Sequence, residues 1–231
     1  MGTKFSTRVW VSVVGIASIF FGSKGYADTV ISVADFGLKP DTRENAVAYV
    51  QKAIEACRGK EPVTLVFPEG RYDFWPQYAH EKNYYETNTY DVFPKRLAML
   101  FEGLHNITVD GNGSQFVMHD RIQPITVENC DGVTLKNFSI DWDIPLTAQA
   151  RVTKVGSDFF EIEINVLESP YIIEDGKLVF VGEGWKSALG SMIEFESDTH
   201  FVVPGTGDLV LGWNWGDYTA VSPRYGIVRL S

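Results

Sequence analysis

Two carboxylates that flank a tryptophan are the best candidates for chemistry in this sequence. Asp141 and Asp143 stand on either side of Trp142, at the end of a stretch that alternates apolar and polar residues. Positions i and i+2 of a strand project from one face, roughly 6 to 7 Å apart at Cα. Glycoside hydrolysis uses such a pair as acid and base beside a sugar ring. The same pair equally fits two turn-forming acids that are solvated or bound to Arg151.

Other common catalytic and metal-binding patterns are missing from the sequence. The four histidines, His80, His105, His119 and His200, show no metal-ligand spacing such as HExxH. The sequence contains neither a GxSxG nucleophile motif nor a glycine-rich phosphate loop before a helix. We therefore predict that the protein uses no metal and no cofactor.

The stretch that ends at the candidate carboxylates repeats itself. Residues 106–111 (NITVDG) align with residues 132–137 (GVTLKN) at a shift of 26. Each copy holds an apolar–polar–apolar triplet followed by Gly or Asn, which predicts strands joined by tight turns. A repeat of this period marks stacked units that cannot bury a core alone. We predict an all-β fold, a right-handed parallel β-helix, in which Ile107 stacks on Val133 and Val109 on Leu135.

A helix is predicted to cover the first coil. Asp41 and Glu44 have the spacing of a capping box. The helix predicted over residues 42–58 has a single apolar face and ends before Gly59. That face consists of Ala46, Val47, Val50, Ala53, Ile54 and Cys57. Such a helix can cover the open strand edges and the exposed apolar core at the end of a β-helix.

An aromatic-rich segment breaks the repeat at residues 74–100, which we predict to be a loop insertion within the coils of residues 28–146. Long loops on a rigid scaffold often carry function, and aromatic rings can bind the apolar face of a sugar. The rings would otherwise only pack the loop onto the scaffold. They are Phe74, Trp75, Tyr78, Tyr84, Tyr85, Tyr90 and Phe93.

A second interruption has the alternation of antiparallel strands. Residues 147–166 read as a hairpin around Gly156, residues 177–181 as another strand, and residues 192–203 and 209–215 alternate again. We predict an inserted antiparallel β-barrel or sandwich over residues 147–220. Residues 221–231 are expected to resume the β-helix, which would continue in a longer protein.

The first 27 residues have the composition of a secretory signal peptide. Lys4 and Arg8 precede an apolar segment at 9–21, and small residues allow cleavage after Ala27. A membrane anchor is the alternative, although the apolar segment is short for a bilayer. Cleavage would remove three positive charges and change the net charge from −10 to −13. We therefore predict a secreted or periplasmic protein that neither binds nucleic acid nor inserts into a membrane after cleavage.

The two cysteines are too few for a disulfide framework. Cys57 and Cys130 both lie in apolar contexts, so we interpret them as small buried hydrophobic residues. A single disulfide between them is the alternative.

Several short motifs, taken in order, resemble a known enzyme family. The first two are typical of the pectate-lyase-like superfamily of parallel β-helices. All five together resemble the secreted bacterial α-1,3-galactosidases of glycoside hydrolase family 110. The motifs are ADFG at 34–37, FPEGRY at 67–72, NFSIDWDIP at 137–145, GEGW at 182–185 and SPR at 222–224.

This resemblance implies an exo-acting, inverting, metal-independent enzyme that removes terminal α-1,3-linked galactose from glycans. It also implies that the catalytic aspartates lie on later coils, beyond Ser231. Asp141 and Asp143 would then be wall residues near the sugar, and this chain alone would be inactive. Trp142, Trp185 and Arg224 fall in the matching motifs and are the predicted substrate-binding residues.

Two other functions fit a β-helix. A polygalacturonase would show Asn-Thr-Asp, Asp-Asp and Gly-His-Gly on successive coils, and a pectate lyase would need a calcium-binding acidic cluster. Neither pattern occurs in these residues. A non-catalytic carbohydrate-binding or adhesin module would have regular coils without a large antiparallel insertion.

Overall fold

The computed structural model describes residues 29–83, 94–206, 209–210 and 217–231. The predicted signal peptide lies outside these residues, as do Tyr84, Tyr85, Tyr90 and Phe93 of the predicted loop. Within the described ranges, no helix has the length and apolarity needed to cross a bilayer. The described residues are mostly β-structure and form two units with separate cores.

The first unit consists mainly of parallel strands, and its long strand β6 takes part in two sets of strand pairs. A bend divides β6, so that each half pairs with different neighbours. The first half lies between β2 and β8, and the second half lies between β3 and the rest of β8. The strands are β1 (Thr29–Ser32), β2 (Val63–Val66), β3 (Arg71–Phe74), β4 (His80–Lys82), β5 (Lys95–Glu102), β6 (His105–Met118), β7 (Gln123–Glu128) and β8 (Asp131–Trp142).

The register between β6 and β8 confirms the predicted repeat. Ile107 pairs with Val133 and Val109 with Leu135, both in parallel strands. The bend in β8 falls at Asn137, whose backbone is left-handed at φ 60°. Its side chain donates to the Asp110 carboxylate one strand away, at 3.0 Å. Asn at this corner therefore tolerates the left-handed turn and also connects two layers.

The prediction of a loop over residues 74–100 is wrong at its C-terminal end, where the chain forms the strand β5. This strand pairs in parallel with β7 and antiparallel with β4. Leu97, Met99 and Phe101 occupy alternate positions and are fully buried. Their period of two is the physical reason for a strand here.

The predicted helix forms, but it is shorter than expected. It is α1 (Val47–Cys57), and its apolar face packs against the strands of the first unit. The predicted capping box is wrong, because Asp41 has a left-handed backbone and its carboxylate accepts from the Arg71 N–H at 2.9 Å. Asn45 instead accepts from the Val47 N–H at 3.1 Å. The helix ends before Gly59, as predicted.

Ring packing dominates the core of the first unit. Phe116 on β6 has its ring centroid 4.7 Å from that of Phe67 and 4.8 Å from that of Phe138. The Phe74 ring centroid lies 5.6 Å from that of Phe116.

Both cysteines are free thiols, so the alternative of a disulfide between them is not formed. Burial raises the pKa of the Cys57 thiol to about 11.

The second unit is antiparallel, as predicted. One sheet has the order β16-β17-β10-β9, a second the order β11-β12-β13, and β14 pairs with β15. Among the described strands these sheets remain separate and do not form a closed barrel. The strands are β9 (Ala150–Val155), β10 (Phe160–Ile164), β11 (Tyr171–Glu174), β12 (Lys177–Gly182), β13 (Trp185–Ala188), β14 (Ser191–Met192), β15 (Leu209–Val210), β16 (Ala220–Arg224) and β17 (Ile227–Leu230).

Two strand predictions in this unit need correction. The alternation at 192–203 gives only the end of β14 and a single bridge between Phe195 and Val202. Residues 221–231 do not resume the parallel coils, because β16 and β17 form an antiparallel hairpin beside β10. A turn at Tyr225–Gly226, with Gly226 at φ 82°, reverses the chain and brings Val228 into the second core.

Candidate functional site

A network of charged side chains covers the outer face of the sheet formed by β3, the second half of β6 and β8. His119 lies at its centre. Its Nε2 is 2.9 Å from Asp73 Oδ1, and its Nδ1 is 2.7 Å from Glu183 Oε2. The side chains of His119 and Asp73 are 2% and 0% exposed. Both ring nitrogens of His119 therefore lie within hydrogen-bond distance of a carboxylate oxygen, which fixes the orientation of the ring.

Arg71 extends the network towards β8. Its Nη2 lies 2.6 Å from Asp73 Oδ1 and 2.7 Å from Asp143 Oδ1. Arg43 approaches the same oxygen of Asp143 at 3.6 Å. The partners of Asp143 are therefore Arg71 and Arg43, and the alternative pairing with Arg151 does not form.

The register of the parallel strands explains why these side chains meet. Phe74 pairs with Met118 across the β3–β6 ladder, and Met118 pairs with Trp142 across the β6–β8 ladder. His119 and Asp143 each follow the end of their strand, and the ladder continues through both backbone N–H groups, at 2.9 Å and 3.1 Å. Since alternate residues of a strand share a face, Asp73 faces the same way as these two.

The structure separates the two predicted catalytic candidates. Asp143 belongs to the network, whereas Asp141 is exposed and, within the described residues, accepts only from the neighbouring Trp142 N–H, at 2.8 Å. Trp142 packs against the first core, and its indole N–H donates to the Asp120 carbonyl at 3.2 Å. Trp142 therefore has a packing role, and its role in substrate binding stays a prediction.

The other two predicted substrate-binding residues lie in the antiparallel unit. Trp185 begins β13, lies 5.7 Å from the Arg121 guanidinium and lines a small cavity with Pro170 and Phe180. Arg224 ends β16 and is exposed. Neither residue contacts the network in the part of the chain that the structure describes, so their role in binding stays a prediction.

The network also joins the two units. Glu183 belongs to the tight turn between β12 and β13, so its contact with His119 crosses from the second unit to the first. Gly184 follows at φ 77°, and a Cβ there would lie 2.5 Å from Asp120 Oδ2. A side chain at this position would be strained and would also collide. The GEGW motif therefore has a structural explanation, which is close docking of the turn onto β6.

An open cleft of about 750 Å³ lies beside the network. Trp75 forms part of its wall, and the Trp75 ring stacks on the His119 ring with centroids 3.8 Å apart and planes 10° apart. The described residues that line the cleft are Arg43, Asn45, Trp75, Pro76, Gln77, Tyr78, Ala79, Glu81, Arg96 and Asp120.

The network resembles a metal site only in the types of its ligand atoms, which are carboxylate oxygens and an imidazole nitrogen. Ligand atoms of Asp73, His119 and Asp143 lie within 4.8 Å of one another. However, the Arg71 guanidinium contacts both carboxylates at hydrogen-bond distance and supplies the compensating positive charge. A cation would have to displace this guanidinium, so the arrangement favours an ion-pair network over metal binding.

Hydrogen bonds control the ionisation of Asp73. Burial opposes its charge, but donors from Arg71 and His119 outweigh burial and hold the pKa of the Asp73 carboxyl below its ordinary value. The charged carboxylate is therefore favoured more strongly in the folded state than in the unfolded chain.

Low pH should destabilise the folded protein through protonation of the Asp73 carboxyl. A carboxyl with a lowered folded pKa contributes stability above its unfolded pKa of about 3.9, and that contribution is lost as the pH falls through the folded pKa. We expect the free energy of unfolding, from urea titrations, to fall more steeply below about pH 4 in the parent than in Asp73→Asn. Equal pH dependence in the two proteins would contradict this assignment.

Sequence reasoning missed the central residues of the network. Arg71, Asp73, His119 and Glu183 were not among the candidates, because each is isolated in the sequence. One signal was available: His119 and Asp143 both follow the second strand of a repeat copy. The shift between the two copies changes from 26 to 24 residues at the corner, and an alignment that allowed for this change would have placed them on adjacent layers.

Comparison with known proteins identifies a family model and several proteins that are similar to this chain. Residues 148–231 match the family model described as GLAA-B beta-barrel domain I, which coincides with the antiparallel unit and includes β16 and β17. The chain is 58% identical over 205 residues to "Alpha-1,3-galactosidase B" of Bacteroides thetaiotaomicron, which covers 89% of this chain and 33% of that protein.

More distant relatives carry similar names. The chain is 36% identical over 169 residues to "Alpha-1,3-galactosidase A" of Shewanella woodyi, covering 72% of this chain and 28% of that protein. The chain is also 36% identical over 205 residues to "Alpha-1,3-galactosidase B" of Phocaeicola vulgatus, covering 87% of this chain and 32% of that protein. The chain spans about a third of the length of the curated relatives it matches. Over that third, it is a homologue of proteins named alpha-1,3-galactosidase, and it contains a GLAA-B beta-barrel domain I.

Proposed function

We propose that this chain is part of a glycoside hydrolase family 110 enzyme that removes terminal α-1,3-linked galactose from glycans. The observation that carries this proposal is 58% identity, over 89% of the chain, to a protein named alpha-1,3-galactosidase B. The proposed reaction is exo-acting and inverting, so one carboxylic acid protonates the leaving oxygen while a second carboxylate activates water. We assign both catalytic carboxylates to the part of the longer polypeptide beyond Ser231.

We further propose that the parallel strands are the first coils of a right-handed parallel β-helix. Three observations support this scaffold: β2, β6 and β8 stack in parallel, β3, β6 and β8 do the same beyond the corner, and β5 pairs in parallel with β7. In such a scaffold, later coils would extend the face that carries the charged network. Asp143 would then lie in the wall of a glycan groove rather than at the reacting bond.

The protein is also proposed to act outside the cytoplasm, with residues 1–27 as a cleavable leader. The acidic charge that remains suits a soluble glycan without phosphate groups better than a nucleic acid. Sequencing the N-terminus of the mature protein tests this point, and a first residue of Asp28 is expected. Recovery of intact Met1 from the secreted fraction would oppose it.

The reaction can be tested on the full-length protein with the disaccharide Gal-α-1,3-Gal. We expect release of galactose, initially as the β-anomer in proton NMR, at a rate that EDTA does not change. The 231-residue chain alone should release none, which serves as the control for contaminating enzymes. Cleavage of polygalacturonate without galactose release would reject the proposal and favour another β-helix enzyme.

A further inference from the structure

The cleft beside the network has a fixed aromatic wall. Trp75 follows β3, and one face of its indole lies against the His119 ring. His119 is itself held through both ring nitrogens by Asp73 and Glu183. The Asn45 side-chain amide also donates to the Gln77 carbonyl at 2.9 Å, which orders the chain after Trp75. The indole is therefore held in place before any ligand arrives, which reduces the entropy cost of binding.

The charges that line the cleft balance one another. Two arginines, Arg43 and Arg96, face two carboxylates, Glu81 and Asp120. Arg96 lies 3.5 Å from Glu81, and Arg43 lies 3.6 Å from Asp143. Both separations exceed the usual hydrogen-bond length, so these guanidinium groups retain N–H donors for a ligand. A lining of balanced charge and many donors and acceptors suits a neutral polyhydroxylated molecule better than an anion.

The shape of the cleft fits a sugar of one or two rings. Its volume of about 750 Å³ lies within the range of ligand pockets in proteins. Tyr78 stands at the rim with 64% of its surface exposed. An aromatic wall for the apolar face of a pyranose, with charged groups around its hydroxyls, is the combination that sugars require.

We propose that the cleft formed by Arg43, Trp75, Tyr78, Glu81, Arg96 and Asp120 binds a neutral hexose. That the hexose is a galactose of the glycan substrate rests on the proposed function.

The test measures binding of methyl α-D-galactopyranoside to the 231-residue chain by saturation-transfer NMR, with folding checked by circular dichroism. Tyr78→Ala should weaken binding about threefold to tenfold, which is the range expected for loss of one aromatic contact. Tyr225→Ala is the matched control, since Tyr225 is 84% exposed in the β16–β17 turn and is not part of the cleft lining. It should bind as the parent does.

Several results would overturn the site. One is no saturation transfer to the sugar from the folded parent. Another is unchanged binding in both Tyr78→Ala and Trp75→Phe, and a third is stronger binding of methyl α-D-glucuronide than of the neutral sugar. Binding without galactosidase activity in the full-length protein would reject the proposed function alone. Activity with no binding at the cleft would reject the site alone.

Discussion

Replacing Asp73 by asparagine should lower the free energy of unfolding by about 3 to 5 kcal/mol, as expected when one partner of a buried ion pair is lost. Asp73 is fully buried and accepts from both Arg71 and His119. An amide of the same shape carries no charge, so the positive charge of Arg71 is left with a single carboxylate, Asp143. Its NH2 group is also a donor and cannot replace Oδ2 as the acceptor for Arg71 Nε. Urea unfolding followed by circular dichroism measures the loss.

Asp141→Asn is the matched control for that experiment. It is the same substitution on the same face of the sheet, but Asp141 is exposed and accepts a hydrogen bond from the N–H of its neighbour Trp142. A surface change of this kind should alter stability by less than about 0.5 kcal/mol. A similar loss in both variants would show that the network is no more important for folding than a surface acid.

Truncating Phe116 to alanine should cost about 3 to 5 kcal/mol, the usual range for deleting a large buried ring. Phe116 is fully buried, and its ring packs against Phe67, Phe74 and Phe138. These rings come from β2, β3 and β8 or the corners beside them, so a cavity at Phe116 would loosen several layers at once. Thermal or urea unfolding measures the change.

Phe201→Ala provides the comparison for this ring. Phe201 is 73% exposed in the second unit, so its removal opens no cavity. We expect a change within about 0.5 kcal/mol. If Phe116→Ala were equally mild, the ring cluster could not be what holds the parallel layers together.

The charged network has two structural consequences. It joins the two units, because Glu183 of the antiparallel unit lies within hydrogen-bond distance of His119, which follows β6. It also fixes the orientation of Trp75 through the stacked His119 ring. A single change at His119 would therefore affect both the docking of the second unit and the wall of the cleft.

The repeat was predictable because it depends on local alternation. Ile107, Val109 and their partners recur with period two and a shift of 26, and parallel stacking places the two copies in adjacent layers. The helix was predictable for the same reason, from one apolar face. Its start was not, because the chain before it adopts left-handed backbone at Asp41 and Arg43 to meet β3. A distant strand thus decided where the helix begins.

The amino-acid sequence by itself determined the helix face, the stacked repeat and the resemblance to α-1,3-galactosidases, since these depend on neighbouring residues or on the order of short motifs. Only the tertiary structure decided which acids meet. Asp73, His119 and Glu183 are separated by 46 and 64 residues, and a hydrogen bond depends on distance in space rather than along the chain. The same reason explains residues 221–231: their alternation fits either kind of strand, and pairing with β10 made them antiparallel.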